Sequence, residues 1–150
     1  MGTAVYCTAK TGAQASEIVD RLRIAERLSA QRPAGEPPLQ VCLQVNISGE
    51  DSKSGLAPAD VPALARAVAA LPRLRLRGLM GIPEPASDVE AQRRPHRALR
   101  ELLEALRRDG LELDTLSMGM TADLEAAVAE GATLVRIGTA LFGARPGTPA

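Results

Sequence analysis

Hydrophobic and polar positions follow two periods along the chain, one typical of helices and one typical of buried strands. Apolar residues first recur at helical spacing at Ile18, Val19, Leu22, Ala25 and Leu28. The prolines that follow remove backbone donors and end this run. Residues 39–47 are then rich in Val, Leu and Ile and stop at a polar loop that contains glycine. We therefore predict a helix, a loop and a buried strand, in that order.

The same alternation continues through the rest of the chain. Strand character returns in residues 74–82, 113–118 and 133–138. The helices between them are bounded by recognisable signals, namely Pro72, the capping pair Ser87 and Glu90, Gly110, the capping residue Thr121, and Gly131. The pattern therefore predicts four strands that alternate with helices.

Regular alternation of this kind indicates βαβ units and a parallel sheet, so the fold class is α/β. Two architectures fit, a small doubly wound sheet and part of a (β/α)₈ barrel. A complete barrel usually needs about 200 residues or more. Four units in 150 residues would therefore be half of one barrel.

In either architecture ligands bind where the strands end, at their carboxyl ends. Two of these ends suit a phosphate, because Gly119 and Gly138 allow close backbone approach and small hydroxyl residues lie beside them. Those hydroxyls belong to Ser117, Thr121 and Thr139. Asp123 would repel an anion at the first end, which favours the second. Ordinary turn and capping roles remain the alternative, and Arg136 fits a structural or a functional role equally well.

Composition narrows the choice of partners. No apolar run is long enough for a membrane span, and 18 basic residues balance 18 acidic ones, so neither a membrane nor nucleic acid is expected. The N-terminus lacks signal-peptide features, which makes the cytoplasm the default location. Cys7, Cys42 and His96 are too few for a metal cluster. We expect His96 to be a surface residue in a solvated, arginine-rich helix face.

Longer segments carry a family resemblance. The chain resembles the C-terminal part of the pyridoxal phosphate homeostasis protein family in residues 20–28, 44–56, 71–85 and 116–145. The resemblance implies a barrel like the alanine racemase N-terminal domain, of which this chain would form the C-terminal half. It also implies pyridoxal 5′-phosphate (PLP) as cofactor, and a role in handling that cofactor without robust catalysis.

The resemblance assigns roles to individual residues. The phosphate would be held by Ser117, Gly119, Met120, Thr121, Gly138 and Thr139. Arg136 would face the pyridine nitrogen. Because arginine keeps its proton and can only donate a hydrogen bond, it would damp the electron-sink chemistry of the ring.

The chain departs from the family at its N-terminus. Residues 1–17 are expected to be a non-matching segment, and residues 18–150 a partial PLP-binding barrel domain. The Ser-Lys-Thr type motif that supplies the family's aldimine lysine is not recognisable, so we expect a truncated form without it. Lys53, in a loop after a strand, is the better candidate for a cofactor contact, and Lys10 is a weaker one.

Two other functions remain open. A PLP-dependent racemase or decarboxylase would need an aldimine lysine and an acid/base partner, for which only His96 and Tyr6 are available. A noncatalytic fragment could instead act through self-association or a partner, because half a barrel exposes unpaired sheet edges. We expect a cofactor-handling protein rather than an enzyme.

Overall fold

The computed structural model describes residues 17–49 and 54–138, and a parallel four-stranded sheet forms the centre of this part. The strands are β1 (Glu17–Val19), β2 (Leu39–Val45), β3 (Leu74–Gly81) and β4 (Thr115–Ser117). The helices are α1 (Leu22–Gln31), α2 (Val61–Ala69), α3 (Val89–Arg108) and α4 (Leu124–Ala129). Short 3₁₀ turns at Pro58–Asp60 and Thr121–Asp123 precede α2 and α4.

The order of the strands in the sheet distinguishes the two predicted architectures. Each strand pairs in parallel with the strand before it, in the order β1-β2-β3-β4. A doubly wound sheet reverses its strand order at a switch point, whereas a barrel adds strands in one direction. The described sheet contains no reversal. The predicted α/β class, with four parallel strands that alternate with helices, is confirmed.

Two predicted elements were wrong in detail. Ile18 and Val19 lie in β1, where Val19 pairs with Leu43 of β2, so α1 begins only at Leu22. An adjacent pair of apolar residues fits a short buried strand as well as a helix, and the pairing with β2 decides between them. Residues 133–138 form a single bridge, between Leu134 and Ser117, in place of the predicted strand.

Two predicted helix caps were also wrong. α3 is capped by Asp88, whose carboxylate accepts a hydrogen bond from the backbone N–H of Ala91 at 2.9 Å, and Ser87 lies one residue too early. Thr121 opens the 3₁₀ turn without capping it through its side chain. Asp and Ser are equally good capping residues, so the sequence could not separate neighbouring candidates.

The core lies between the sheet and its helices and is aliphatic. Its fully buried members include Val41, Leu43, Val61, Val68, Leu79, Leu99 and Leu106. The helices α2 and α3 each bury one face against the sheet, which explains their apolar spacing. Within the described residues no helix is long and apolar enough to cross a membrane.

One end of the sheet is tied together by side chains, and we call it the amino edge, meaning Gln40, Arg77, Gly78 and Asp114. The register of β2 against β3 shifts between Val41 and Cys42, which leaves Arg77 as an extra residue in β3. Arg77 donates two hydrogen bonds to the Asp114 carboxylate, at 2.7 and 2.6 Å, and a third to Gln40. The hydrogen bonds from Arg77 to the carboxylate lower the pKa of Asp114 below its ordinary value.

Candidate functional site

The opposite end of the sheet brings together three of the predicted site residues, Ser117, Gly119 and Arg136. The Met118 N–H donates to the Leu134 carbonyl at 3.0 Å, and the Arg136 N–H donates to the Gly119 carbonyl at 2.9 Å. The segment after β4 is therefore joined to the segment around Arg136 by backbone hydrogen bonds. We call this end the carboxyl edge, meaning Ser117, Gly119, Arg136 and Gly138.

Gly119 has a backbone conformation that demands glycine. Its φ is +98°, and a Cβ at this position would lie 2.5 Å from the Cβ of Ala127 in α4. A side chain would therefore be strained by the backbone and would collide with the helix. Gly138 differs, because a Cβ there would meet nothing within 4 Å among the described residues.

Arg136 connects two strand ends. Its backbone N–H binds Gly119, after β4, and its Nη2 donates to the carbonyl of Gly81, the last residue of β3, at 3.2 Å. The side chain is half-buried. The guanidinium is thus fixed across the carboxyl ends of β3 and β4, where a ligand of a parallel sheet would bind.

Met120 and Thr121 lie on the exposed side of the turn that follows Gly119. The Met120 N–H donates to Oδ1 of Asp123 at 2.7 Å, so this donor is already engaged within the protein. The other oxygen of Asp123 lies 2.9 Å from Nε2 of His96 in α3. Asp123 is therefore held on both sides and is part of the structure of the turn, which sequence reasoning missed.

The prediction that His96 is a surface residue was wrong, because its side chain is fully buried. The reason lies in the period of α3. Leu99 and Leu103 follow at three and seven residues, so His96 continues the apolar stripe that faces the core. That spacing was visible in the sequence and could have placed the histidine correctly.

The prediction of a solvated arginine face on α3 was wrong in part. Arg93, Arg97 and Arg100 face the carboxylate of Glu130, with N to O distances of 2.8, 3.2 and 3.4 Å, and Glu130 is only 1% exposed. Burial alone would raise the pKa of Glu130. The hydrogen bonds from Arg93 and Arg97 outweigh burial and lower it below its ordinary value.

The remaining candidates lie outside the described residues or beside the site. Lys10, Lys53 and Thr139 are outside the described ranges. At the end of β2, the Asn46 side-chain oxygen accepts a hydrogen bond from the Gly49 N–H at 3.2 Å, which shapes the turn over residues 46–49. Within the described ranges no three His, Cys, Asp or Glu side chains are grouped to hold a metal ion.

The parallel sheet with its carboxyl edge belongs to a known class of protein. The family model described as "Alanine racemase, N-terminal domain" matches residues 6–146, and the chain belongs to that family. The match begins within residues 1–17, and the division of the chain at residue 17 stays a prediction.

Relatives within the family are more specific. The chain is 69% identical over 133 residues to the pyridoxal phosphate homeostasis protein of Pseudomonas aeruginosa. The matched segment covers 88% of this chain and 56% of that protein. The protein of the same name from Escherichia coli is 56% identical over 127 residues, covering 85% and 54% respectively. The resemblance to this family is confirmed. The chain spans about half the length of these curated relatives.

Solved structures agree with the fold. PipY of Synechococcus elongatus without PLP superposes with a TM-score of 0.74 at 37% identity, covering 83% of this chain and 59% of that one. The PLP-bound form of PipY gives 0.72 at 36% identity, with coverage of 83% and 58%. An alanine racemase from Clostridium difficile, at 18% identity and a TM-score of 0.67, covers 88% and 34% and supports the fold alone. The predicted racemase-like barrel class is confirmed.

Proposed function

We propose that this protein binds PLP at the carboxyl edge and takes part in intracellular PLP homeostasis. The observation that carries the proposal is the joining of the Gly119 turn to Arg136 across the ends of β3 and β4. Relatives named for pyridoxal phosphate homeostasis and a PipY structure with PLP bound support this assignment. The cofactor would lie over the strand ends.

The chemistry of the edge fits a phosphate group. Gly119 permits the turn itself, because its φ is +98°. At Gly138 a Cβ would meet nothing within 4 Å among the described residues, which leaves room for an anion to approach the backbone closely. Ser117 and Thr121 add hydroxyl donors at the same edge. Asp123 would oppose an anion, but its two oxygens already accept hydrogen bonds from Met120 and His96, which confine its charge.

The proposed roles follow from these positions. We assign the phosphate to Ser117, Gly119, Met120, Thr121, Gly138 and Thr139, and the pyridine nitrogen to Arg136. Because the Met120 N–H is engaged by Asp123, a contribution from Met120 would come from another of its groups. When bound, PLP supplies an electron sink to attached amines. A guanidinium beside the ring nitrogen retains its proton, so this protein's residues favour holding the cofactor over driving carbanion chemistry.

Covalent attachment would depend on two residues. The sequence contains only two lysines, Lys10 and Lys53. We propose that neither acts as the family's attachment lysine and that Lys53 contacts the cofactor without a stable bond. Affinity would then rest on the phosphate and ring contacts of the carboxyl edge.

The test is a titration of the purified chain with PLP, followed by absorbance and by quenching of the cofactor's fluorescence. We expect saturable binding that inorganic phosphate weakens by competition, and no borohydride-stable adduct by mass spectrometry. Arg66→Ala, which alters an exposed ion pair on α2, is the control and should bind as the unaltered chain does. Absence of saturable binding would overturn the proposed function, whereas an adduct mapped to Lys53 or Lys10 would overturn only the noncovalent mode.

The open sheet supports a finer proposal about assembly. In the described sheet β1 has a neighbour on one side only, and an unpaired strand edge favours pairing with another chain. We propose that the protein self-associates through the unpaired side of β1. We also propose that it functions in the cytoplasm. Sedimentation at several concentrations should show a mass above 15.7 kDa, and fractionation of cells should recover the protein with cytoplasmic markers.

A further inference from the structure

A contact between His96 and Asp123 links the buried face of α3 to the turn of residues 119–121 in the proposed site. His96 is fully buried, and its Nε2 lies 2.9 Å from one oxygen of Asp123. The other oxygen of Asp123 accepts the Met120 N–H at 2.7 Å. One carboxylate thus receives a hydrogen bond from the histidine on one side and from the turn backbone on the other.

The surroundings of His96 indicate which ring nitrogen carries the proton. Nε2 faces the carboxylate, which only accepts hydrogen bonds, whereas Nδ1 is buried without a hydrogen-bond partner among the described residues. A proton on Nδ1 would leave a buried donor unsatisfied, which is costly, while an unprotonated Nδ1 costs less. A proton on Nε2, donated to Asp123, fits this arrangement.

A second contact between the same two helices does not involve the turn. Glu130, directly after α4, is held by Arg93, Arg97 and Arg100 of α3. α4 is therefore fastened to α3 at both ends, but only the His96 end continues into the Met120 turn. This difference separates a role in positioning the turn from a role in packing the helix.

We propose that His96 is a positioning residue which, through Asp123, fixes the turn of residues 119–121 for the phosphate of PLP. The inference rests on the proposed function. Without the histidine N–H, the Asp123 carboxylate loses one of the two bonds that orient it, and the Met120 N–H loses a fixed acceptor. The turn would then have to become ordered when the cofactor binds, which weakens the affinity.

The experiment compares His96→Leu with His96→Gln, whose side-chain amide can still donate to Asp123, and uses Glu130→Gln as the control at the other end of α4. Two measurements are made on each protein. Hydrogen exchange of the Met120 amide is measured without cofactor, and PLP affinity is measured by titration. Asp123→Ala is included because it removes the acceptor from the turn and leaves the buried His96 side chain in place.

We expect His96→Leu and Asp123→Ala to speed exchange at Met120 and to weaken PLP binding about tenfold, the loss typical of one hydrogen bond. His96→Gln should restore both properties to within about threefold, and Glu130→Gln should leave both unchanged. Should His96→Leu fail to fold, Asp123→Ala and His96→Gln still decide the question. Unchanged Met120 exchange and unchanged affinity in Asp123→Ala would overturn the inference.

The two proposals fail in different ways. If the unaltered chain binds no PLP, the proposed function is wrong, and Met120 exchange alone still decides whether His96 fixes the turn. If the unaltered chain binds PLP and Glu130→Gln weakens binding as much as His96→Leu does, helix packing explains the effect and His96 has no positioning role.

Discussion

The two ends of the sheet are held together by different kinds of contact. At the amino edge, Arg77 of β3 forms a charged pair with Asp114, which precedes β4, and donates a hydrogen bond to Gln40 of β2. These side-chain contacts link β2, β3 and the start of β4. At the carboxyl edge, the contacts are mostly backbone hydrogen bonds, such as the one from the Arg136 N–H to the Gly119 carbonyl. The side chains of the amino edge thus find their partners within the protein. The carboxyl edge contains two glycines, and a Cβ on one of them, Gly138, would meet nothing within 4 Å among the described residues.

This difference indicates that the amino edge contributes mainly to the stability of the fold and the carboxyl edge mainly to binding. In barrels of this kind, residues at the amino ends of the strands mainly support the fold, and ligands bind at the carboxyl ends. We therefore expect substitutions at the amino edge to lower the free energy of unfolding without changing PLP affinity. At the carboxyl edge, a substitution that meets no neighbouring atom, as at Gly138, should lower PLP affinity and leave the free energy of unfolding nearly unchanged.

The largest effect is expected from Gly78→Ala at the amino edge. A Cβ on Gly78 would overlap with the carbonyl group of Thr115 in β4, so the two strands would have to separate. We expect a loss of more than about 3 kcal/mol in the free energy of unfolding, or failure to fold, measured by urea denaturation. Gly35→Ala, where a Cβ meets nothing within 4 Å, is the control and should change stability little.

Arg77→Ala should have the next largest effect. It removes the paired hydrogen bonds to Asp114 and the bond to Gln40, together with packing of a side chain that is 28% exposed. We expect a loss of about 1–2 kcal/mol in the free energy of unfolding. The control is Arg66→Ala, whose pair with Asp109 is exposed and should contribute less than about 0.5 kcal/mol. A clear loss of PLP affinity in Arg77→Ala would contradict the separation of the two edges.

Gly138→Ala tests the carboxyl edge. Because a Cβ there meets nothing within 4 Å in the part of the chain that the structure describes, the free energy of unfolding should stay within about 0.5 kcal/mol of the unaltered value. The added methyl group would occupy space that we assign to the phosphate, so PLP affinity should fall about tenfold, or about 1.4 kcal/mol. Calorimetric titration and urea denaturation measure the two quantities. Unaltered affinity would show that the phosphate binds elsewhere.

The smallest effect concerns pH. The pKa of Asp114 in the folded protein is lowered, chiefly by the hydrogen bonds from Arg77. In an unfolded chain the pKa of an Asp side chain is about 3.9. The stabilisation by Asp114 is therefore complete at pH values above the pKa that Asp114 has in the unfolded chain. It is lost as the pH falls through the lower pKa that Asp114 has in the folded protein. We expect Asp114→Asn to be less stable than the unaltered chain at pH 7 and the difference to shrink below about pH 4. A difference that stays constant down to pH 2 would contradict this pairing.

Much of the fold was predictable because local patterns determine it. The alternation of strand and helix, the aliphatic core and the glycine turn at Gly119 all follow from short-range sequence signals. Where the sequence misled, a long-range contact made the difference. Val19 is in a strand because it pairs with Leu43, and Leu134 makes only a single bridge to Ser117.

The candidate site was predicted less completely than the fold. Ser117, Gly119 and Arg136 are brought together at the carboxyl ends of β3 and β4, although Arg136 itself does not end a strand. The partners of Asp123 and Glu130 were missed, because charged residues on a helix look solvated until the neighbouring helix is placed beside them. Their burial depends on how α3 packs on α4, which no spacing within one helix reveals.

The sequential strand order also bears on how the chain folds during synthesis. Each strand of the described sheet after β1 hydrogen-bonds to the strand that the ribosome has made before it, so these strands do not wait for a distant partner. Non-local pairing is what slows the folding of sheets, and it is confined here to one strand-helix unit at a time. The sheet can therefore grow in the direction of translation, each new unit docking on an edge that is already formed.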